Sequence, residues 1–280
     1  LVAGTIPRTY KEALDLLNNG DLTIMAGGTD LMVKRRNWSG CLPYFSKDVL
    51  IISGLDELNF IRREKGYTHI GANVTLENLK TSQYVPKLVK EAAALMASPA
   101  IRHIGTIGGN LGNASPAGDS LPPLYLLDAE VVLESSRNER CIAIEELITA
   151  PGRTSLKNNE IIREIIIKEP DFSFSFYKKV GGRKADAISK VSFSGVATVR
   201  NYVIEDFRVA FGAVGPKVVR ERSIENQLIG CSLQELKEKK EWIKKQYESS
   251  ITPIDDQRST AEYRKTCSMN LLDYFIQEIR

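Results

Sequence analysis

Residues 101–120, IRHIGTIGGNLGNASPAGDS, constrain the fold of this chain more than any other stretch. They carry Gly105, Gly108, Gly109, Gly112 and Gly118, interleaved with Thr106, Asn110, Asn113 and Ser115. From Gly105 onward no bulky charged side chain appears before Asp119. Such a run is too rich in small residues for an ordinary helix or a central strand. It suits backbone lying close against a ligand, with short side chains donating hydrogen bonds. A plain surface loop is the bland alternative, but this one is long for a loop without a function.

A second glycine-rich segment is IMAGGTDLMVK, residues 24–34, where a short strand runs into Ala26-Gly27-Gly28-Thr29-Asp30. Glycine accepts positive φ and leaves no Cβ in the way, so successive amides can point at one anion. A pyrophosphate needs such donors more than it needs a cation. Taken alone, an ordinary tight turn explains this segment equally well. Neither segment is a Rossmann G-x-G-x-x-G or a Walker G-x-x-x-x-G-K-[ST]. Two such loops argue for a dinucleotide held differently from the doubly wound fold. No Ser/His/Asp or Cys/His constellation appears, so no catalytic side chain is assigned, and a cofactor is expected to do any chemistry.

Composition narrows the alternatives. The 280 residues are 42% hydrophobic and 26% charged, values of a globular chain. A net charge of +3 is too mild for a nucleic-acid or membrane surface. The Lys/Glu mixture at 237–245 reads as a solvated helix face. No apolar run approaches the ~18 residues of a membrane span, and the opening LVAGTIPRTY has neither the leader nor the apolar core of a signal peptide. Cys41, Cys141, Cys231 and Cys267 are scattered, with no C-x-x-C pair and with His69 and His103 far from them in sequence. No metal ligation is expected within the chain, and reduced thiols in a cytoplasmic protein are the simplest reading.

The pattern of elements divides the chain. Thr9-Tyr10-Lys11-Glu12 is a capping box that opens a helix, Asn19-Gly20 stops it, and strands at 22–25 and 49–52 complete a small α/β unit. Strands at 60–63 and 68–70, a helix at 87–97, the small-residue segment, residues 124–127 and 130–134, and a closing strand at 161–168 make the next unit. Glu169-Pro170-Asp171 is the boundary. Beyond it, antiparallel strands at 175–179, 191–200 and 208–213 precede a helix at 233–247. A second capping box, Ser259-Thr260-Ala261-Glu262, opens a helix with a stripe at Leu271, Leu272, Phe275, Ile276 and Ile279. Strands followed by helices suggest an α+β layer.

AGGTDL, IRHIGTIGGNLGNASPAGDSLPPLYLLDAEVVL and FYKKVGGRKADAISKV closely resemble the FAD-binding subunit or domain of the molybdenum hydroxylases. That family includes the xanthine, carbon monoxide and nicotinate dehydrogenases. RSTAEYRK resembles its C-terminal domain, so the likeness covers nearly the whole chain. The resemblance implies an α+β fold. Two α/β FAD-binding subdomains of the vanillyl-alcohol-oxidase/PCMH type (about 1–54 and 55–170) form a domain at 1–170. An α+β C-terminal domain of antiparallel sheet with helices follows at 171–280.

It also implies residue roles. Met25, Ala26, Gly27, Gly28, Thr29, Asp30 and Leu31 would wrap the pyrophosphate of a non-covalent FAD. Ala97, Gly105, Thr106, Gly109, Asn110, Asn113 and Ser115 would complete the cradle. Asp119 would be the acidic cofactor contact, and Ile162 would pack on the flavin or adenine side. Lys179 would sit near the flavin, with Lys178 open in register. His103 stands where the family often has Asn. The implied function is electron transfer in a heteromeric oxidoreductase. Iron–sulfur clusters and a molybdenum cofactor lie on partner chains, an iron–sulfur subunit and a molybdopterin-binding subunit. NAD or another acceptor takes the electrons, and the substrate is a purine such as xanthine, with nicotinate next. The rivals are a free-standing FAD oxidase or reductase of the wider fold and a non-enzymatic flavin-binding module.

Overall fold

The computed structural model describes residues 2–280; Leu1, first in the expected first subdomain, lies outside the described residues. The chain forms two compact units. One comprises Leu1–Val85, Ser98–Ser115 and Ala129–Lys168; the other comprises Pro86–Ala97, Pro116–Asp128 and Glu169–Arg280. No helix is long and apolar enough to cross a membrane among the described residues.

The first unit begins with a three-stranded parallel sheet in which Val49–Ile51 lies between Gly4–Thr5 and Thr23–Met25. Parallel strands need a crossover, and the helix Tyr10–Asn19 supplies one. Thr9 caps it, its Oγ accepting the Glu12 N–H at 3.2 Å. The expected capping box closes one residue early, because Glu12 accepts from the Arg8 N–H rather than from Thr9. Ala13, Leu14 and Leu17 share one helix face and bury with Leu50, Ile52, Leu55, Leu58 and Ile161.

A five-stranded antiparallel sheet completes this unit, in the order Ile61–Glu64, Tyr67–Gly71, Ile161–Lys168, Glu130–Glu134, Glu139–Ala143. Ile161–Lys168 is central and covered on both faces, which is why five of its eight residues are buried isoleucine or glutamate at 161, 162, 164, 165 and 167. Buried Glu164 is compensated by His69 Nδ1 at 2.8 Å and by Arg62 at 3.6 Å.

The small-residue segment corrects the expectation that it is non-helical. Ile107–Asn113 is an α-helix, with the Thr106 hydroxyl accepting the Gly109 N–H at 3.0 Å. Ala114, at φ 47°, ends it in the left-handed region. Propensity opposes a helix with three glycines, but tertiary packing overrides it. A Cβ on Gly108 would come within 2.6 Å of the Ala72 Cβ, so only glycine lets this helix approach residue 72 so closely. Leu121–Leu126 is helical too, opened by Pro122 and Pro123 in its first turn.

The second unit is built on an antiparallel meander of Phe174–Gly181, Ser189–Arg200 and Val203–Gly212. The middle strand is buried almost throughout because helices cover both faces. On one side Val191, Phe193, Val209 and Phe211 pack with Ile243, Tyr247, Leu272 and Phe275. The Phe275 ring lies where a Gly195 Cβ would stand, 2.7 Å from it. On the other side Tyr177, Val196 and Ala210 pack with Leu88, Ala92 and Leu126, from the helices Lys87–Leu95 and Leu121–Leu126.

Two expected helix features change. The helix at 233–247 is two pieces, Leu233–Glu238 and Lys240–Ser250, separated at Lys239. The first piece opens with a complete capping box of Ser232 and Glu235. The final helix, Ala261–Glu278, is capped by Thr260, which accepts from Tyr263, and not by Ser259. Arg264, within RSTAEYRK, is buried and bonds the Lys190 and Ala213 carbonyls and Asp256, fixing this helix to the sheet.

Candidate functional site: a glycine-lined cavity

The first unit contains a cavity of about 480 Å³. Both glycine-rich segments line it: Met25, Ala26, Gly27, Gly28, Thr29, Asp30 and Leu31 from one, and Gly105, Thr106, Gly109, Asn110 and Asn113 from the other. Their approach is backbone to backbone. A Cβ on Gly27 would stand 1.9 Å from the Ile104 carbonyl oxygen. The Asn113 side chain joins them further, bonding both Lys34 and Asp30.

The segments differ in how their amides are spent. The N–H groups of Gly27, Gly28, Thr29 and Asp30 have no acceptor among the described residues. Gly28 holds φ +67°, which turns the chain so that neighbouring amides can converge. In the second segment Gly105 donates to Ile101, Ile107 to Val74, Gly108 to Ala72 and Asn110 to Thr106, while Gly109 is taken by the Thr106 hydroxyl. That segment offers the cavity a wall without side chains at Gly109 and Gly112.

The remaining walls are aliphatic. Ile24, Ile52, Leu76, Leu156, Ile161 and Ile162 line them. A bulge after Ile162 interrupts the alternation of its strand, and consecutive Ile161 and Ile162 both reach the cavity. This set, a cluster of donor amides beside apolar walls, matches what the phosphates and flat rings of a dinucleotide require.

Four expected site residues do not line this cavity. Ser115 belongs to the first unit, and Ala97, Asp119 and Lys179 belong to the second. There Lys179 Nζ lies 2.7 Å from Asp119 Oδ2 and donates to the Leu95 carbonyl at 3.0 Å. The Ser189 hydroxyl donates to the other Asp119 oxygen. Both charged side chains are under one-tenth exposed. Burial pushes the Asp119 carboxyl up, with Lys179 and Ser189 pulling against it. The strand register settles which lysine turns inward: Lys179 is held here while Lys178 is exposed. His103 ends the short helix Pro99–Arg102, is exposed, and does not line the cavity.

Sequence reasoning missed Asn73, Lys34, Arg35, Gly152 and Leu156 as lining residues. Lys34 closes the first glycine-rich segment and Arg35 follows it, and that position is a usable signal. Asn73 and Leu156 reach the cavity only through tertiary folding, and nothing local marks them.

Residues 3–170 match the family described as the FAD binding domain in molybdopterin dehydrogenase. Residues 175–279 match the CO dehydrogenase flavoprotein C-terminal domain. The chain is 35% identical to the nicotinate dehydrogenase FAD-subunit of Eubacterium barkeri over 81% of its length and 79% of the relative's. It is 29% identical to the glyceraldehyde dehydrogenase medium chain of Sulfolobus acidocaldarius, covering 92% and 90%. A carbon monoxide dehydrogenase structure from Hydrogenophaga pseudoflava superposes with a TM-score of 0.88 at 24% identity, covering 99% of this chain and 96% of that one. That likeness shows the fold, mixed helices and antiparallel sheets; the two family matches make it an FAD-binding domain followed by a C-terminal flavoprotein domain. Cavity, fold and both family matches agree that this chain is an FAD-binding oxidoreductase subunit of the molybdenum hydroxylase family.

Proposed function

We propose that FAD binds non-covalently in this cavity, its pyrophosphate on the unspent amides of Gly27, Gly28, Thr29 and Asp30. The single observation that carries this placement is that the amides of four consecutive cavity-lining residues have no acceptor among the described residues. Met25, Ala26 and Leu31 shape the turn, and Gly105, Thr106, Gly109, Asn110 and Asn113 form the opposite wall. Ile162 packs on one ring. Ala97, Ser115, Asp119 and Lys179 are proposed as cofactor contacts on the resemblance alone; within the second unit the Asp119–Lys179 pair is buried and hydrogen-bonded, which suits an orienting role.

When bound, the flavin supplies redox chemistry between iron–sulfur clusters on one partner chain, fed by a molybdenum centre on another, and NAD. The residues of this chain bind and orient it and exclude water from its phosphates. The substrate, on this reading, is a purine such as xanthine. A second reading replaces it with nicotinate, favoured by the 35% identity to a nicotinate dehydrogenase FAD-subunit. Four cysteines free of disulfides support a reducing, cytoplasmic setting.

Acid precipitation of the purified chain should release intact FAD into the supernatant; flavin left on the protein refutes non-covalent binding. The chain with its iron–sulfur and molybdenum partners should oxidise xanthine and reduce NAD. Turnover of nicotinate alone selects the second reading. Turnover by this chain alone, free of metal by elemental analysis, refutes the subunit role.

A further inference from the structure

Asn73 follows the strand Tyr67–Gly71, is 4% exposed, and lines the cavity. Its side-chain nitrogen donates to the Ile52 carbonyl at 2.6 Å, with the Leu55 carbonyl at 3.5 Å. Its backbone N–H donates to the Leu58 carbonyl at 2.8 Å. Both side-chain partners are acceptors, so the orientation of the amide is fixed: the nitrogen faces residues 52 and 55 and the oxygen faces away. That oxygen, Oδ1, is buried and has no hydrogen-bond partner among the described residues.

A buried acceptor without a donor is a standing cost, and native proteins carry few of them. Pinning the chain at Ile52 accounts for the nitrogen and leaves the oxygen unexplained. Asn73 shares the cavity with aliphatic walls from Ile52, Leu76, Ile161 and Ile162. Aliphatic walls with one fixed acceptor suit a flat heterocycle that carries an N–H at its edge.

We infer that Asn73 Oδ1 accepts a hydrogen bond from a ring-borne N–H of the bound FAD and so positions that ring and selects for it. FAD offers two such donors, the exocyclic amine of adenine and the imide N–H of the isoalloxazine. The inference rests on the placement of FAD in this cavity.

Two analogues separate the donors: FAD lacking the adenine amine, and FAD methylated at the isoalloxazine imide nitrogen. Each is titrated by fluorescence into the apo-form of the full chain, beside FAD itself. On the wild type one of them should bind about tenfold more weakly than FAD, which is about 1.4 kcal/mol. Loss with the amine-free analogue places adenine at Asn73; loss with the methylated one places the isoalloxazine there. On Asn73→Ala, which should weaken FAD itself, the same analogue should bind as well as FAD does. Equal binding of all three ligands to the wild type overturns the inference without any variant, so a poorly folded Asn73→Ala does not shelter it. An analogue penalty that persists undiminished in Asn73→Ala overturns it as well. Gly28→Val separates the two levels. If it abolishes FAD binding while the analogues bind equally to the wild type, only the role of Asn73 falls. If it binds FAD as the wild type does, the cavity placement falls with it.

Discussion

The two glycine-rich segments have similar composition, and each ends in an aspartate, yet they do different work. Residues 26–30 form a turn whose amides stay unspent. Residues 105–119 spend theirs on a capped helix and on the neighbouring chain at Ala72 and Val74. Asp30 is exposed and makes no cap bond to the helix that follows it. Asp119 is buried, with Lys179 and Ser189 on its two oxygens. Glycine thus serves two ends, freeing amides in one segment and allowing close packing in the other. Composition does not distinguish the two; the hydrogen bonds do.

The aspartates give the largest predicted contrast. Asp119→Ala leaves the Lys179 ammonium buried beside no carboxylate, which should cost about 3–5 kcal/mol. Asp30→Ala, at an exposed position, should stay within about 0.5 kcal/mol. Thermal melting of the two apo-variants measures this. Similar melting shifts would mean that the Asp119 pair is not the fixed structural unit its geometry indicates.

Next come the glycines that pack. Gly108→Val forces a Cβ to within 2.6 Å of the Ala72 Cβ and 2.8 Å of its carbonyl oxygen, neither of which is a flexible chain end. Overpacking of this kind costs about 1–3 kcal/mol and at times more. The apo-protein should melt well below the wild type. A Gly108→Val protein with wild-type melting would show that the helix Ile107–Asn113 does not need its close approach.

Gly28→Val should act mainly on the cofactor. Its φ of +67° costs an L-residue roughly 1–2 kcal/mol, and straightening the turn moves the unspent amides apart. FAD affinity should fall at least tenfold while apo-protein melting falls less than in Gly108→Val. The reverse ranking of the two variants would exchange the roles assigned to the two segments.

Much of this was legible in the sequence, for identifiable reasons. The bounds of the strand Ile161–Lys168 are legible in its run of β-branched residues, but not its central place in the sheet, since the sequence marks it only as a closing strand. Both glycine segments stand out by their density of small residues, although a tight turn explains the first equally well by itself. The helix at 107–113 was not legible: three glycines argue against it locally, and what stabilises it is contact with Ala72, about 35 residues away in sequence. Asn73 is invisible for the same reason. The break at Lys239 and the shift of the cap from Ser259 to Thr260 reflect the usual uncertainty of one or two residues at helix ends.

The smallest expected effect concerns what anchors the second segment and has no counterpart in the first. Arg102, just before the glycines, donates from Nε to Glu77 at 2.8 Å, and Lys80 bonds the same carboxylate at 2.6 Å. Hydrogen bonds from Lys80 and then Arg102 hold the Glu77 carboxyl at about 2. A carboxyl depressed in the folded state adds stability above its unfolded value, about 4.3, and loses it as pH falls toward the folded one. Wild-type protein should therefore lose melting temperature between about pH 4.3 and pH 2 through this group, whereas Glu77→Gln should melt lower at pH 7 and show a shallower acid limb. High salt should shrink the difference at pH 7, since Lys80 is partly exposed. Melts of both proteins across that range, at low and high salt, provide the measurement. Parallel acid limbs would mean that the Glu77 contacts add nothing to the hold on the second segment, and the contrast between the two segments would then rest on glycine geometry without help from this charge cluster.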